Sequence, residues 1–227
     1  MKKRVVSFLV CAFFAVFAAG SVYAHSGDVF KGKYLTDIQK NMKIRVTQSA
    51  QTSFFNSYVY NGALDWNDIS SNVRVSVIME MPGMPSITDS INVYSDEGVF
   101  DEGLMGKNYH YDRNGKEVGS DDDWSYSTIK MNTDSTAYNK LPASRRSDGA
   151  RMCFIHEVGH ALKLAHPFDG GTAFDHDYAN LLPYAVMNTG LPVIFGFTDT
   201  EDLKKYEQVA WTVTDHDKLC LKGKWGN

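Results

Sequence analysis

The residues with the clearest chemistry are His156, Glu157 and His160, the H-E-x-x-H of the run F-I-H-E-V-G-H at residues 154–160. On a helix, positions four apart share a face, so both imidazoles can reach one ion. Glu157 points about a quarter turn away. It is badly placed to ligate beside its neighbour and well placed to reach a water on the same ion. A reactive zinc site takes three protein ligands and keeps one position open. His166 is the natural third. On a continued helix it would lie ~9 Å along the axis from His160, too far for a bond near ~2 Å. The chain must therefore stop and turn between Leu162 and His166. Pro167 favours that turn, because the residue before a proline is steered away from helix.

The elements that must position these groups can be read around them. Residues 42–47 alternate as a strand, and residues 73–79 form a second. Apolar residues spaced by three and four predict a helix over residues 51–69, disturbed at Gly62. A short strand fits residues 90–94. Residues 109–111 and 117–118 flank Asn114-Gly115, a dipeptide that favours a tight hairpin turn. Residues 127–132 read as another strand. Pro142 then precedes the histidine-bearing helix, with Ser144 or Ser147 as its expected cap and an end near Leu162. A last helix fits residues 215–221, capped by Thr214. Residues 25–40 read as a loose, polar lead-in. The whole is α+β with a mixed sheet.

The chain has 227 residues, 43% hydrophobic and 22% charged, enough for one domain with a real core. The net charge is −4 and no basic block stands beyond the first residues, which argues against a nucleic-acid partner. Lys2, Lys3 and Arg4, an apolar run over residues 5–20 and Ser21-Val22-Tyr23-Ala24 read as a signal peptide over residues 1–24. The run is short for a membrane span, so cleavage near Ala24 is expected to release residues 25–227 as a secreted or periplasmic domain without a membrane anchor. In oxidising surroundings a disulfide between Cys153 and Cys220 is open, though sequence does not show that the two sulfurs meet. Asp121, Asp122 and Asp123 could join Asp112 and Asn114 around calcium; a solvated loop beside the hairpin is the simpler reading. His176, His110 and His216 read as loop, surface or helix residues.

The block H-E-V-G-H-A-L-K-L-A-H at residues 156–166 resembles the long zinc signature of the metzincin peptidases, with Lys163 where that family usually has Gly. Gly serves such a turn because it accepts positive φ; a Lys there costs roughly 1–2 kcal/mol. Tyr184-Ala185-Val186-Met187-Asn188 resembles the family's methionine turn. Asp65-Trp66-Asn67, the strand before the zinc helix, Thr214-Asp215-His216-Asp217 and the ending Lys224-Trp225-Gly226 are similar to the secreted matrixin branch. The resemblance covers most of residues 25–227. It implies a metzincin-like zincin fold: a mixed twisted sheet, an active-site helix and a C-terminal helix. It also implies a monomeric zinc endopeptidase with Glu157 as general base and Met187 beneath the metal. The strand at Ile129 and Met131 would offer its edge to an extended protein or peptide substrate, and residues 187–197 would wall a side-chain pocket. No cysteine precedes Met42 in the lead-in, so no cysteine-switch propeptide is expected.

Two classes of function follow: an active peptidase, or a secreted zinc protein that only binds through the same cleft. Glu157 favours the first, since a binding module needs no carboxylate beside the metal's water.

Overall fold

The computed structural model describes residues 29–52, 54–84, 93–97, 104–133, 138, 141–166, 186–187 and 211–227. The expected signal segment, His176 and residues 188–197 lie outside them. Six strands form one sheet: β1 (Met42–Val46), β2 (Val75–Met79), β3 (Val93–Glu97), β4 (Gly106–Tyr111), β5 (Glu117–Val118) and β6 (Tyr126–Met131). Their spatial order is β2-β1-β3-β6-β4-β5. β1, β2, β3 and β6 run parallel, and β4 runs antiparallel to β6 and β5. Alternation builds the core face. Met42, Ile44 and Val46 of β1 are fully buried, as are Ser127, Ile129 and Met131 of β6. The hairpin turns at Asn114-Gly115 with Gly115 at φ 77°, and Asp112 Oδ1 accepts from the Asn114 and Lys116 amides.

Helix α1 is a single turn (Ser57–Tyr60), α2 spans Arg146–Ala161 and α3 spans Asp215–Trp225. The expected helix over residues 51–69 is thus much shorter. Asn56 caps it by accepting from the Tyr58 amide, and from Asn61 the chain tightens into a 3-10 turn through Trp66. That turn packs closely on α2: a Cβ at Gly62 would lie 2.9 Å from side-chain atoms of Arg151 and Ile155.

α2 lies against α1, the 61–66 turn and strands β4 and β6. It is buried nearly all round from Met152 to Gly159, so it has no single apolar stripe of the kind periodicity detects. Neither Ser144 nor Ser147 caps it; a 3-10 turn at Ala143–Arg145 leads in instead. α3 carries the expected Thr214 cap as a full capping box with Asp217, and it runs four residues past the expected end.

Residues 29–35 are not loose. Val29 bridges Leu164, and Tyr34 bridges Trp124. The Lys31 and Lys33 amides donate to Asp121 and Asp123, and Lys224 Nζ donates to the carbonyls of Phe30 and Gly32. The segment is a strap between the 119–124 loop and the end of α3. Among the described residues no helix is long and apolar enough to cross a membrane.

Candidate metal centre

α2 delivers His156 and His160 one turn apart, and the chain then reverses. The Lys163 amide donates to the His160 carbonyl at 2.9 Å and the Leu164 amide to the Gly159 carbonyl at 3.0 Å. This is the paired closure of a helix end in which the residue past the cap takes a left-handed conformation. That residue is Lys163, at φ 70°. The reversal brings His166 Nε2 to 3.1 Å from His156 Nε2 and 3.0 Å from His160 Nε2. Among the described residues these three histidines are the one group of His, Cys, Asp or Glu side chains whose ligand atoms converge.

The donor set fits zinc. Two nitrogens bound tetrahedrally at ~2.05 Å would lie ~3.3 Å apart, close to the separations found. The far sides of two rings are fixed as well. His156 Nδ1 donates to the Val186 carbonyl and His160 Nδ1 to the Leu164 carbonyl, both at 2.9 Å. Such bonds leave the Nε2 lone pairs facing one another. Burial, with His156 and His166 beside it, holds the His160 imidazole well below its usual titration range, which suits it to ligate a metal as the neutral ring.

Glu157 is buried between α2 and the sheet. A Cβ on Gly106 would sit 3.2 Å from its Cγ, and Asn108 Nδ2 donates to its backbone carbonyl at 2.8 Å. Its Oε2 has no hydrogen-bond partner among the described residues. Burial pushes its carboxyl up to about 8, against small opposing effects from the Asn108 bond and Lys107. A buried carboxyl with one unpartnered oxygen, next in the chain to His156, is suited to moving a proton.

Met187 packs directly on the histidine-bearing helix. A Cβ at Gly159 would collide with its sulfur and lie 3.0 Å from Trp66. The glycine between the two helical histidines is therefore required by this contact. The Val186–Met187 turn is pinned by Asp217, a residue that sequence reasoning treated only as part of a helix start. Its carboxylate accepts from the Val186 amide at 2.9 Å, the Met187 amide at 3.3 Å and the Thr214 amide at 2.8 Å. Trp66 Nε1 donates to the Ile155 carbonyl and Trp225 Nε1 to the Leu162 carbonyl, at 3.0 and 2.8 Å.

Several expectations need correction. Ile129 and Met131 offer no edge: β6 is interior, paired with β3 on one side and β4 on the other, and both side chains are fully buried. The free edge near Glu157 belongs to β4, where residues 106–109 pair with β6 alone among the described strands. Cys153 and Cys220 are both buried and are not bridged to each other. Cys153 packs beside Tyr138 and Gly106, while Cys220 lies on α3 with its sulfur 3.5 Å from His216 Nε2, so each is held in separate packing. Among the described residues the acidic side chains form no cluster of converging ligand atoms. Asp121, Asp122 and Asp123 accept from the amides of Lys31, Gly119 and Lys33, and Asp112 is occupied by its own turn. His110 is buried rather than superficial, stacked on Trp124 with centroids 3.3 Å apart. Period-two alternation with Gly106 and Asn108 on the same strand was the available signal.

No protein-family model matches the chain, and no curated protein matches it. Among solved structures, a chain of the "GM1 bound form of the ECX AB5 holotoxin" aligns with a TM-score of 0.48 and 15% identity over 86% of both chains. Likeness of that degree assigns neither a fold family nor a function.

Proposed function

We propose that the chain is an exported zinc-dependent endopeptidase of metzincin-like fold, released by cleavage near Ala24, with His156, His160 and His166 holding the metal. The single observation that carries this reading is the meeting of three histidine Nε2 atoms at the end of the helix that also carries the buried Glu157. Bound there, zinc supplies a Lewis acid that lowers the pKa of a coordinated water toward ~7 and polarises a carbonyl. Glu157 Oε2 accepts the proton of the attacking water and returns it to the leaving amine. An extended substrate adds as a further strand along the free edge of β4 at residues 106–109. The Asn108 bond to the Glu157 carbonyl keeps that edge in register with the base. Gly106 leaves room for the Glu157 side chain.

The test is cleavage of a degenerate peptide library by residues 25–227, with and without a chelator. Cleavage should be lost on chelation and restored by zinc. Glu157→Ala should retain zinc while losing cleavage by at least about a hundredfold. Full activity in that variant would remove Glu157 from its role, and a wild-type protein that takes up no zinc would end the reading.

A further inference from the structure

Lys163 is the departure from the zinc signature, and its side chain does something a glycine cannot. It is fully buried, an uncommon state for lysine. Its Nζ donates to the Asp122 carbonyl at 2.6 Å and the Ser120 carbonyl at 3.3 Å, and it stands 3.3 Å from the centroid of the Trp124 ring. Trp124 is itself fixed. Its amide donates to the Lys33 carbonyl, its Nε1 to the Gly119 carbonyl, and His110 stacks on its ring. The backbone of Lys163 meanwhile belongs to the turn between the ligands. Its amide closes α2 on His160, and its carbonyl accepts from the Phe30 amide at 2.9 Å. One residue therefore joins the ligand-bearing turn to a loop 41 residues earlier in the chain.

We infer that Lys163 is a positioning residue for the metal centre: its amine, held by two carbonyls and the Trp124 face, locks the turn that aims His160 and His166. The inference rests on the proposed zinc site for its purpose and on the buried contacts for its mechanism. Neither carbonyl contact depends on protonation, since a lysine amine donates in both states. The clamp also explains why a left-handed lysine is tolerated, because buried contacts to the side chain can offset the backbone strain.

Lys163→Gly separates two explanations that differ in sign. If only the backbone matters, glycine relieves the strain and zinc binds equally well or more tightly. If the amine positions the turn, zinc affinity falls by about tenfold or more, with helical and sheet content unchanged. Cobalt substituted for zinc should then show an altered visible spectrum, reporting a changed ligand geometry that a general loss of stability would not produce. Lys163→Met keeps the stem and the strain but removes the donor; it should behave like the glycine variant. Unchanged affinity and spectrum in either folded variant overturns the clamp. If the wild-type protein takes up no metal, the zinc reading fails alone, and the clamp is judged on the metal-free protein by NMR. Ring-current shifts should move the Lys163 methylene protons upfield, and Trp124→Leu should abolish them. Unshifted methylenes in the wild type refute the clamp.

Discussion

Two regions hold the converging histidines from behind, and they use opposite chemistry. On one side, α3 presents a buried carboxylate, Asp217, which collects the amides of the 186–187 turn; that turn's carbonyl orients His156. On the other, the turn after α2 sends a buried amine, Lys163, to collect carbonyls of the 119–124 loop, while Leu164's carbonyl orients His160. An acceptor gathers donors in the first case and a donor gathers acceptors in the second. The carboxylate sits on a short stem inside a regular helix and is fixed by its own capping box. The amine ends a long stem and depends on its surroundings for order. The first arrangement should be the stiffer and the more costly to disturb.

The largest expected effect therefore lies with Asp217. Asp217→Ala leaves several buried amides without an acceptor, and stability should drop by about 3 kcal/mol or more in denaturant melts. A loss below about 1 kcal/mol would erase the asymmetry between the two regions. The next effect concerns His110, on the lysine side. Burial, aided by nearby Lys163, lowers its pKa from the ordinary 6.5 to about 3. Between those values the unfolded chain binds a proton that the folded chain refuses. Stability is thus complete above pH 6.5 and declines on acidification at up to about 1.4 kcal/mol per pH unit. His110→Phe in metal-free protein should lack that share of the slope; parallel wild-type and variant profiles would contradict it. The smallest effect is for calcium. The acidic loop already serves Lys163 and the strap, so millimolar calcium should shift the melting temperature by no more than about 1 °C. A shift of several degrees would mean that the loop binds a divalent ion after all.

What the sequence disclosed was local in character. The helical histidine pair, the forced turn before Pro167, the Thr214 cap and the Asn114-Gly115 hairpin each depend on neighbours within a few residues, and each can be read from spacing. The helix expected over residues 51–69 is confined to residues 57–60 and a following 3-10 turn, and a periodicity of three and four does not reveal that Gly62 is pressed against α2. β6 was mistaken for an edge because strand order is a property of the whole sheet. The roles of Asp217 and the Lys163 side chain come from contacts about 30 and 41 residues away, and Phe30 meets Lys163 across still more chain. No spacing rule addresses such pairs. Lys163 was nevertheless visible as a departure from a motif, and its positive φ followed from where it stood.

The strap along the early part of the domain has a consequence for biogenesis. Lys224 reaches back to the Phe30 carbonyl across 194 positions, and Ser70 reaches forward to Gly226 across 156. Closing loops of that size is slow and comes after local structure. While the chain is still folding, the helical histidines can exist without the walls that steady them. The proposed activity would then arise only when the two far parts of the polypeptide have met.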